Sequence, residues 1–534
     1  MLSNAMDEAR SAPEDATLPA AATGPHHHGQ PGYPDKLDAG LFRIAGVCVL
    51  ASVMSVLDAT IVSVAQRTFI VEFDSTQAVV AWTMTAYTLA VATMIPMTGW
   101  AADRFGTKRL WMGSILAFTV GSLMCAMAPN ILLLIAFRTL QGMGGGMLMP
   151  LGFIILTRLA GPRRLGRLMA VLGIPMLLGP IGGPILGGWL IDSFGWPWIF
   201  LVNLPVGVAA FALAAVVFPP DRPAASETFD LVGLLLLSPG LAIFLFGVSS
   251  VPGQGALLDR DVLVPMIGGL ALIIAFGWHA WHRADHPLID LRLFKKRVVA
   301  QANLTALVFA TAFVGSSLLL PSYLQQVLHQ TPMQSGVHLI PQGLGAMLTM
   351  PLAGAFMDRR GPGMSVLVGI TLLAVGLGIF AVGVAKQTHY LPTLLVALAI
   401  TGMGTGCTMM PLSGAAVRSL TPHEIARGST LISVTHQVGG SMGAALMSVI
   451  LTNQFNRSEN ISVANRITAL QDDAARHGVP VDEATMPPQS LDPAFAANVV
   501  RDLSHSYMVM FVVAAALMTA TLVPAAFLPK TPPT

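Results

Sequence analysis

Long apolar stretches, separated by short polar segments, occupy most of this chain. A helix that spans a bilayer needs about 20 mostly apolar residues. This pattern predicts an all-α polytopic membrane protein with fourteen spans. The predicted spans lie near residues 41–64, 79–98, 110–128, 131–156, 168–191, 198–218, 230–249, 262–281, 298–320, 337–357, 364–384, 391–412, 426–451 and 506–528. The longest polar interruption, 452–505, is predicted to hold a short helix around 462–476.

Two sequence motifs occur once in each half of the chain. The first, G-x3-D-R-x-G, begins at Gly99 directly after span 2 and again at Gly354 in the last turn of span 10, 255 positions later. The second, Gly-Met-Gly-x-Gly, begins at Gly142 in span 4 and at Gly402 in span 12. A duplicated six-span bundle explains both repeats. Because a site between two similar bundles can open to either side of a membrane in turn, this layout is typical of a transporter.

The repeats and the charges also predict the domain organisation. Most of the 29 Lys and Arg residues fall in inner segments if the N-terminus is cytoplasmic, which places both termini inside. The predicted segments are a disordered cytoplasmic tail (1–40), an N-terminal six-helix bundle (41–218), two extra spans with linkers (219–297), a C-terminal six-helix bundle with a long outer loop at 452–505 (298–528) and a cytoplasmic tail (529–534).

Composition excludes several other classes of protein. Charged residues make up 10% of the chain and the mean hydropathy is +0.68, whereas soluble proteins carry about 25% charged residues. The net charge of +2 gives no basis for nucleic-acid binding. The three cysteines stand in apolar runs at unrelated spacings, so they predict neither disulfides nor a metal site. Without a phosphate-binding loop or a hydrolase motif, we expect no enzyme activity and no cofactor, and energy must come from an ion gradient.

Four stretches resemble motifs of the major facilitator superfamily, in particular its 14-span drug:proton antiporter branch. They are the loop 99–109, the span 4 stretch 134–142, the span 5 stretch 173–183 and the span 1 stretch 57–65. The resemblance covers nearly all of 41–528 and implies a major facilitator fold, two six-helix bundles plus two inserted helices. The sequence departs from the branch at Ser63, Gln66, Arg67 and His436.

The resemblance implies roles for two groups of residues. The loop after span 2, with its repeat after span 10, would latch the two halves in one orientation; alternatively, its basic residues only fix topology. The span 5 motif would close the inner half during exchange; alternatively, it provides ordinary small-residue packing. The latch residues are Gly99, Asp103, Arg104, Gly106, Lys108, Arg109, Asp358 and Arg359. The span 5 residues are Gly173, Gly179, Pro180, Gly183 and Gly187.

Two charged residues lie well inside predicted spans, Asp58 in span 1 and Arg138 in span 4. Burial in a medium of low dielectric constant opposes ionisation of a carboxyl group, which suits Asp58 to carrying the coupling proton. Arg138 cannot plausibly deprotonate, so it must be paired, and we expect it to bias the ionisation of Asp58. Two alternatives stay open: Asp58 as a permanently paired structural carboxylate, and Arg138 as an anchor for backbone carbonyls.

A candidate substrate cavity completes the sequence-based prediction. Aromatic rings can stack on a flat cation, although Trp82 could equally be an interfacial anchor and His436 a hydrogen-bonded core residue. The candidate cavity residues are Ser55, Trp82, Tyr87, Gln141 and His436.

These observations predict a proton-coupled antiporter that exports amphipathic, cationic drugs or toxic compounds across the bacterial inner membrane, as in antibiotic resistance. Its expected partners are the lipid bilayer, a small substrate and protons, and we expect a monomer. One alternative is an exporter of a lipid or lipid-like metabolite on the same scaffold. A remoter one is a membrane regulatory protein that transports nothing.

Overall fold

In the computed structural model of this chain, every regular element among the described residues is a helix. The structure describes residues 39–160, 174–220, 229–254, 260–282, 287–388, 390–418, 420–421, 424–477 and 487–529. The helices of the N-terminal part are α1 (Ala39–Val64), α2 (Gln66–Glu72), α3 (Gln77–Met94), α4 (Thr98–Phe105), α5 (Thr107–Ala126), α6 (Ile131–Ala160), α7 (Ile174–Phe194), α8 (Trp198–Leu201) and α9 (Asn203–Val217).

Two helices follow that correspond to the predicted inserted spans, α10 (Leu231–Gln254) and α11 (Arg260–His282). The C-terminal part then repeats the pattern of long helices. Its helices are α12 (Arg297–Gln326), α13 (Pro332–His338), α14 (Ile340–Arg360), α15 (Pro362–Ala385), α16 (Leu395–Arg418), α17 (Ile425–Arg457), α18 (Glu459–His477), α19 (Phe495–Ala520) and α20 (Leu522–Ala525). Most of the two predicted tails lies outside the described residues, since the structure does not describe 1–38 and 530–534.

Membrane-spanning helices dominate the described chain, as predicted. Twelve of them are long and apolar enough to cross a membrane, and the α3–α4 pair would be a thirteenth if it is one bent span. The predicted second span is not straight: α3 ends at Met94, and α4 continues at an angle of 56°. Pro96 lies in this break, where its ring interrupts the backbone hydrogen bonds. The predicted fifth span (168–191) is described only from residue 174 onwards, as part of α7. The count of fourteen spans therefore stays a prediction.

The turn at the end of the repeated motif has the same backbone conformation in both halves. Gly106 joins α4 to α5 with φ +89°, and Gly361 joins α14 to α15 with φ +83°. Residues with a side chain rarely adopt these angles, which is why glycine stands at both positions. The sequence repeat therefore corresponds to a structural repeat.

The glycines of the second repeat also have matching packing roles. A side chain at Gly142 would meet the backbone of α3, and one at Gly144 would meet that of α5. In the other half, Gly402 faces α14 and Gly404 faces α15 in the same manner. Small residues permit this close approach of helix backbones. Thus α6 and α16 occupy equivalent places between their neighbours.

The inserted helices lie against both halves of the molecule. Helix α10 contacts α3 of the N-terminal part and α17 of the C-terminal part. Towards α3, the Ser238 hydroxyl donates to the Thr93 carbonyl (2.8 Å), and Phe246 stacks on Trp82 with ring centroids 5.4 Å apart. Towards α17, the contacts are apolar. All described residues belong to one compact unit, Asp35–Thr534.

The long polar segment before the last span contains the helix that the sequence predicts. Helix α18 covers the predicted stretch 462–476 and packs against α19. Asp502 accepts hydrogen bonds from the Ser458 hydroxyl (2.8 Å) and the Asn460 amide (2.9 Å), which tie the start of α18 to α19.

Candidate functional site

The two intramembrane charges predicted from the sequence are in direct contact. Arg138 Nη1 on α6 donates to Asp58 Oδ2 on α1 at 2.5 Å. Both side chains are enclosed by protein, since Asp58 is 0% and Arg138 1% exposed. The face of α1 that holds Asp58 is therefore packed against neighbouring helices in this conformation, rather than open to a cavity.

The second carboxylate oxygen of Asp58 is held by two side-chain amides. Asp58 Oδ1 accepts hydrogen bonds from Gln141 Nε2 and from Asn203 Nδ2, each at 2.8 Å. The same two amide nitrogens also donate to the Ser122 hydroxyl, at 2.6 and 3.2 Å. The carboxylate thus connects three helices, α1, α6 and α9, and Ser122 joins α5 to them through the two amides. We call Asp58, Arg138, Gln141, Asn203 and Ser122 the acid network.

Arg138 has further partners that stabilise its charge. Its Nε donates to the Thr83 carbonyl of α3 (3.2 Å), and its Nη1 also donates to Gln141 Oε1 (2.7 Å). The guanidinium carbon lies 4.1 Å from the centre of the Tyr87 ring, within the range of a cation–π interaction. Because these partners surround it, the guanidinium could stay buried if Asp58 lost its charge.

The network suits the ionised form of Asp58. A buried ion pair is favourable only when its geometry is good and its other polar atoms are bonded, and both conditions hold here. Protonation of Asp58 would discharge the pair and leave one uncompensated positive charge at Arg138. The arrangement can therefore convert proton binding into a change of charge inside the protein. A permanently ionised structural pair would have the same geometry.

The glycine strip of the span 5 motif faces the helix that bears Asp58. Side chains added at Gly179, Gly183 and Gly187 of α7 would meet Val56, Thr60 and Ile61 of α1, respectively. These contacts lie within one helical turn of Asp58. Pro180 is part of α7, and Gly173 lies outside the described residues. The strip allows α1 and α7 to approach closely.

The predicted latch residues form contacts within one half and across to the other. Asp103 pairs with Arg158 of α6 (2.5 Å), and Lys108 Nζ donates to the carbonyls of Ala215 (2.7 Å) and Phe218 (3.0 Å) at the end of α9. Across the halves, a side chain at Gly99 would meet α17, whose Arg427 interacts electrostatically with Asp103. Arg104, Arg109 and Arg359 are exposed, and Asp358 lies near the end of α14.

The described contacts bring three of the five candidate cavity residues together. Ser55 and Tyr87 share a hydrogen bond (3.2 Å) beside the acid network, to which Gln141 belongs. Trp82 instead stacks on α10, as described above. His436 lies on α17, and its Nε2 is buried without a hydrogen-bond partner among the described residues. Among the described residues, no hydrogen bond or ring contact joins Trp82 or His436 to the other three.

Three members of the site were not predicted from the sequence: Asn203, Ser122 and the Thr83 carbonyl. Asn203 carried the clearest signal. It is an amide inside the apolar stretch 198–218, and a buried amide is costly unless it is hydrogen-bonded. No cluster of three or more His, Cys, Asp or Glu side chains that could hold a metal ion occurs in the part of the chain that the structure describes.

Comparison with known sequences identifies the family of this chain. The family model described as Major Facilitator Superfamily matches residues 48–444. The chain is 67% identical over 530 residues to a "Multidrug resistance protein B homolog" of Mycobacterium tuberculosis, covering 99% of this chain and 98% of that protein. It is 30% identical over 426 residues to "Multidrug export protein EmrB" of Haemophilus influenzae, covering 79% of this chain and 82% of the relative.

Solved structures agree at the level of the fold. The human organic anion transporter MFSD10 (TETRAN) matches with a TM-score of 0.56 at 15% identity, covering 90% of this chain and 100% of that one. The proton:xylose symporter XylE matches with a TM-score of 0.54 at 14% identity, covering 90% and 96%. With its repeated halves and many membrane helices, the chain belongs to the major facilitator superfamily and is a multi-pass membrane transporter.

Proposed function

We propose that this protein is a proton-coupled antiporter that exports amphipathic, cationic compounds across the bacterial inner membrane. Both termini would lie in the cytoplasm, and the transporter would work as a monomer driven by the proton gradient, without a cofactor. The observation that carries the proposal is the enclosed pair of Asp58 and Arg138. The names of the relatives, which refer to multidrug resistance and export, support drugs as the substrate class.

The charge of the acid network explains how proton and substrate would compete. With Asp58 ionised, the pair is neutral overall, and a cation can approach it without a net repulsion. With Asp58 protonated, the positive charge of Arg138 is uncompensated and repels a cation. Protons that enter from outside would therefore release the substrate outward. Return of the empty carrier to the inner side would then release the proton to the cytoplasm.

The energetics of this cycle are sufficient for export. A proton that moves down a potential of 100 mV releases about 2.3 kcal/mol. Exchange of one proton for one monovalent cation moves no net charge, so the pH gradient alone would drive a one-for-one cycle, with a tenfold substrate ratio for each pH unit. A second proton per cycle would add the potential, and since about 1.4 kcal/mol corresponds to a tenfold ratio, 100 mV would contribute a further roughly fiftyfold ratio.

The proposal is tested by reconstitution in proteoliposomes with an imposed pH gradient and a panel of amphipathic cations, anions and lipids. Substrate flux and proton movement are measured together for the wild type and for Asp58→Asn. The variant keeps the size of the side chain but cannot exchange a proton. We expect proton-driven flux of cations in the wild type and its loss in the variant.

Other outcomes of the same experiment would contradict parts of the proposal. Unchanged coupled flux in Asp58→Asn would overturn the assignment of Asp58 as the proton carrier. Loss of lipid flux in the variant, with cation tolerance of cells unaltered, would favour lipid export instead. Absence of any gradient-driven flux from purified wild-type protein would favour a role without transport.

A further inference from the structure

Asn203 is the third hydrogen-bond donor to Asp58. It lies on α9, whereas the other two donors both lie on α6. It stands at the first residue of α9, and its side chain is 3% exposed. Its Nδ2 reaches both Asp58 Oδ1 (2.8 Å) and the Ser122 hydroxyl (3.2 Å). Residue 203 is 145 positions from Asp58, so only the packing of α9 on α1 brings the two together.

The hydrogen bonds around Asp58 are all of one kind. Arg138, Gln141 and Asn203 each present an N–H group to the carboxylate. A protonated carboxyl group carries an O–H, which must donate to an acceptor. Loading of a proton therefore requires that at least one of the three neighbours move or turn.

Asn203 can turn at the smallest cost of the three. Gln141 uses both ends of its amide, since Oε1 accepts from Arg138 Nη1 (2.7 Å) and from the Cys125 thiol (3.6 Å). Arg138 has no acceptor atom to offer. The described contacts of Asn203 are made by Nδ2 alone, so a half-turn of its amide presents Oδ1 to the O–H of a protonated Asp58.

We propose that Asn203 is a positioning residue that sets the proton concentration at which Asp58 is loaded, by donating to the carboxylate and accepting from the carboxylic acid. The inference rests on the proposed proton coupling and names the residue that tunes it. Hydrogen bonds to charged groups are about twice as strong as neutral ones, so Asn203 favours the carboxylate on balance. The other titratable side chains that face Asp58 are Arg138, Tyr87 and Cys125.

The proposal is tested on the purified full-length protein by infrared difference spectroscopy. The carboxylic acid band of Asp58 is identified by its absence in Asp58→Asn and is titrated from about pH 4 to about pH 10. Replacing Asn203 by leucine removes the donor at similar volume. We expect Asn203→Leu to move the midpoint of this band towards alkaline pH by roughly 0.5 to 1 pH unit.

Two further variants keep the test decisive. Asn203→Asp preserves the size of the side chain and places a second acid beside Asp58, so its alkaline shift should exceed that of Asn203→Leu. Asn303→Leu is the matched control, because Asn303 is also 3% exposed but bonds to Val299 and Thr435 in the other half. We expect no shift in this control.

The possible results separate this inference from the proposed function. Equal midpoints in Asn203→Leu and the wild type, or an equal shift in Asn303→Leu, would overturn the role of Asn203. A wild-type Asp58 without a titrating band over the whole range would overturn it as well. If the expected shifts occur but the wild type shows no proton-driven flux in proteoliposomes, then the role of Asn203 stands and the proposed function fails.

Discussion

At the scale of single residues, two opposite charges in an apolar bundle account for most of the chemistry of the site. An intramembrane carboxylate costs about 2.5–3.5 kcal/mol on insertion scales. Here Asp58 and Arg138 offset this cost by pairing with each other and by bonding to amides and a backbone carbonyl. Removing one partner of such a buried pair leaves the other uncompensated, which typically costs about 3–5 kcal/mol. Removal of either charge is therefore expected to destabilise the protein, less so for Asp58 because Arg138 has further partners.

The shape of the guanidinium is predicted to matter as well as its charge. Arg138→Lys keeps a positive charge near Asp58 but loses the separate bonds from Nε to Thr83 and from Nη1 to Gln141. Because such charged hydrogen bonds are worth about 1.5–3 kcal/mol each, we expect proton-coupled efflux to fall by at least about tenfold. Efflux rates in proteoliposomes, at matched protein content, measure this.

Arg158→Lys serves as the comparison for that variant. Arg158 makes a single described ion pair with Asp103 and is about a third exposed, so an ammonium group can replace it at little cost. We expect near wild-type efflux from it. Full coupled transport by Arg138→Lys would instead support the interpretation of Arg138 as a structural anchor.

At the scale of helices, the position of Asp58 depends on how closely α1 and α7 pack. The glycine strip of α7 faces Val56, Thr60 and Ile61, so the helix that bears the acid has little room to shift. The span 5 resemblance and the acid of span 1 are thus parts of one interface. This contact gives the motif a physical role beside Asp58, whichever of the two predicted functions it has.

A methyl group added to this interface is predicted to disturb it. In Gly183→Ala the new Cβ would overlap the side chain of Thr60, and overpacking of this kind costs about 1–3 kcal/mol. We expect a lower thermal unfolding temperature in detergent and reduced efflux. The matched control on the same helix is Gly188→Ala, where no heavy atom lies within 4 Å of the added Cβ. Equal stability of the two variants would contradict the close contact of α1 and α7.

At the scale of the whole molecule, the halves meet through several elements rather than one surface. Helix α4 contacts α17, α7 contacts α13 and α14, and the inserted α10 contacts both α3 and α17. The polar and aromatic contacts of α10 are with α3, whereas its contacts with α17 are apolar and less directional. The linker before α12 is also fixed to the start of α17, because Lys296 pairs with Glu424 (2.5 Å).

The Lys296–Glu424 pair is predicted to give a pH-dependent contribution to stability. Burial alone would raise the pKa of Glu424, but hydrogen bonds from Lys296 and Thr421 lower it below its ordinary value. A lowered pKa means that the contribution is present above the pKa of the unfolded chain, about 4.3, and is lost as the pH falls through the pKa of the folded protein.

Glu424→Gln should therefore destabilise the protein slightly at pH 7, by less than about 1 kcal/mol, since both partners are partly exposed. The difference from the wild type should shrink as the pH falls below about 4.3 and disappear once Glu424 is protonated in the folded protein as well. Thermal unfolding in detergent between these pH values measures it. Glu459→Gln is the control, since the described contact of this exposed residue is with Gln489. A difference that grows towards acid pH would contradict the sign.

The sequence alone determined the class of the protein, the duplicated halves and the two buried charges. Those features are local or periodic. A bilayer determines the length of an apolar helix, and a repeat can be read directly from the order of the residues. Gly106 and Gly361 could be matched as equivalent positions of the repeat, because the positive φ of this turn requires glycine in both halves. Helix α18 belongs to the same level, since it was predicted from a short stretch of sequence. The bend at Pro96 also has a local cause, but the sequence analysis predicted a single uninterrupted span there.

The packing of the helices against one another determined which groups surround Asp58. Its bonds to Arg138 and Asn203 join residues 80 and 145 positions apart, and they depend on how each helix is rotated about its axis. Hydropathy leaves that rotation undetermined here, because a helix that is apolar all round has no face that the sequence marks as inward. The contact of α7 with α1 and the stacking of Trp82 on α10 depend on helix rotation in the same way.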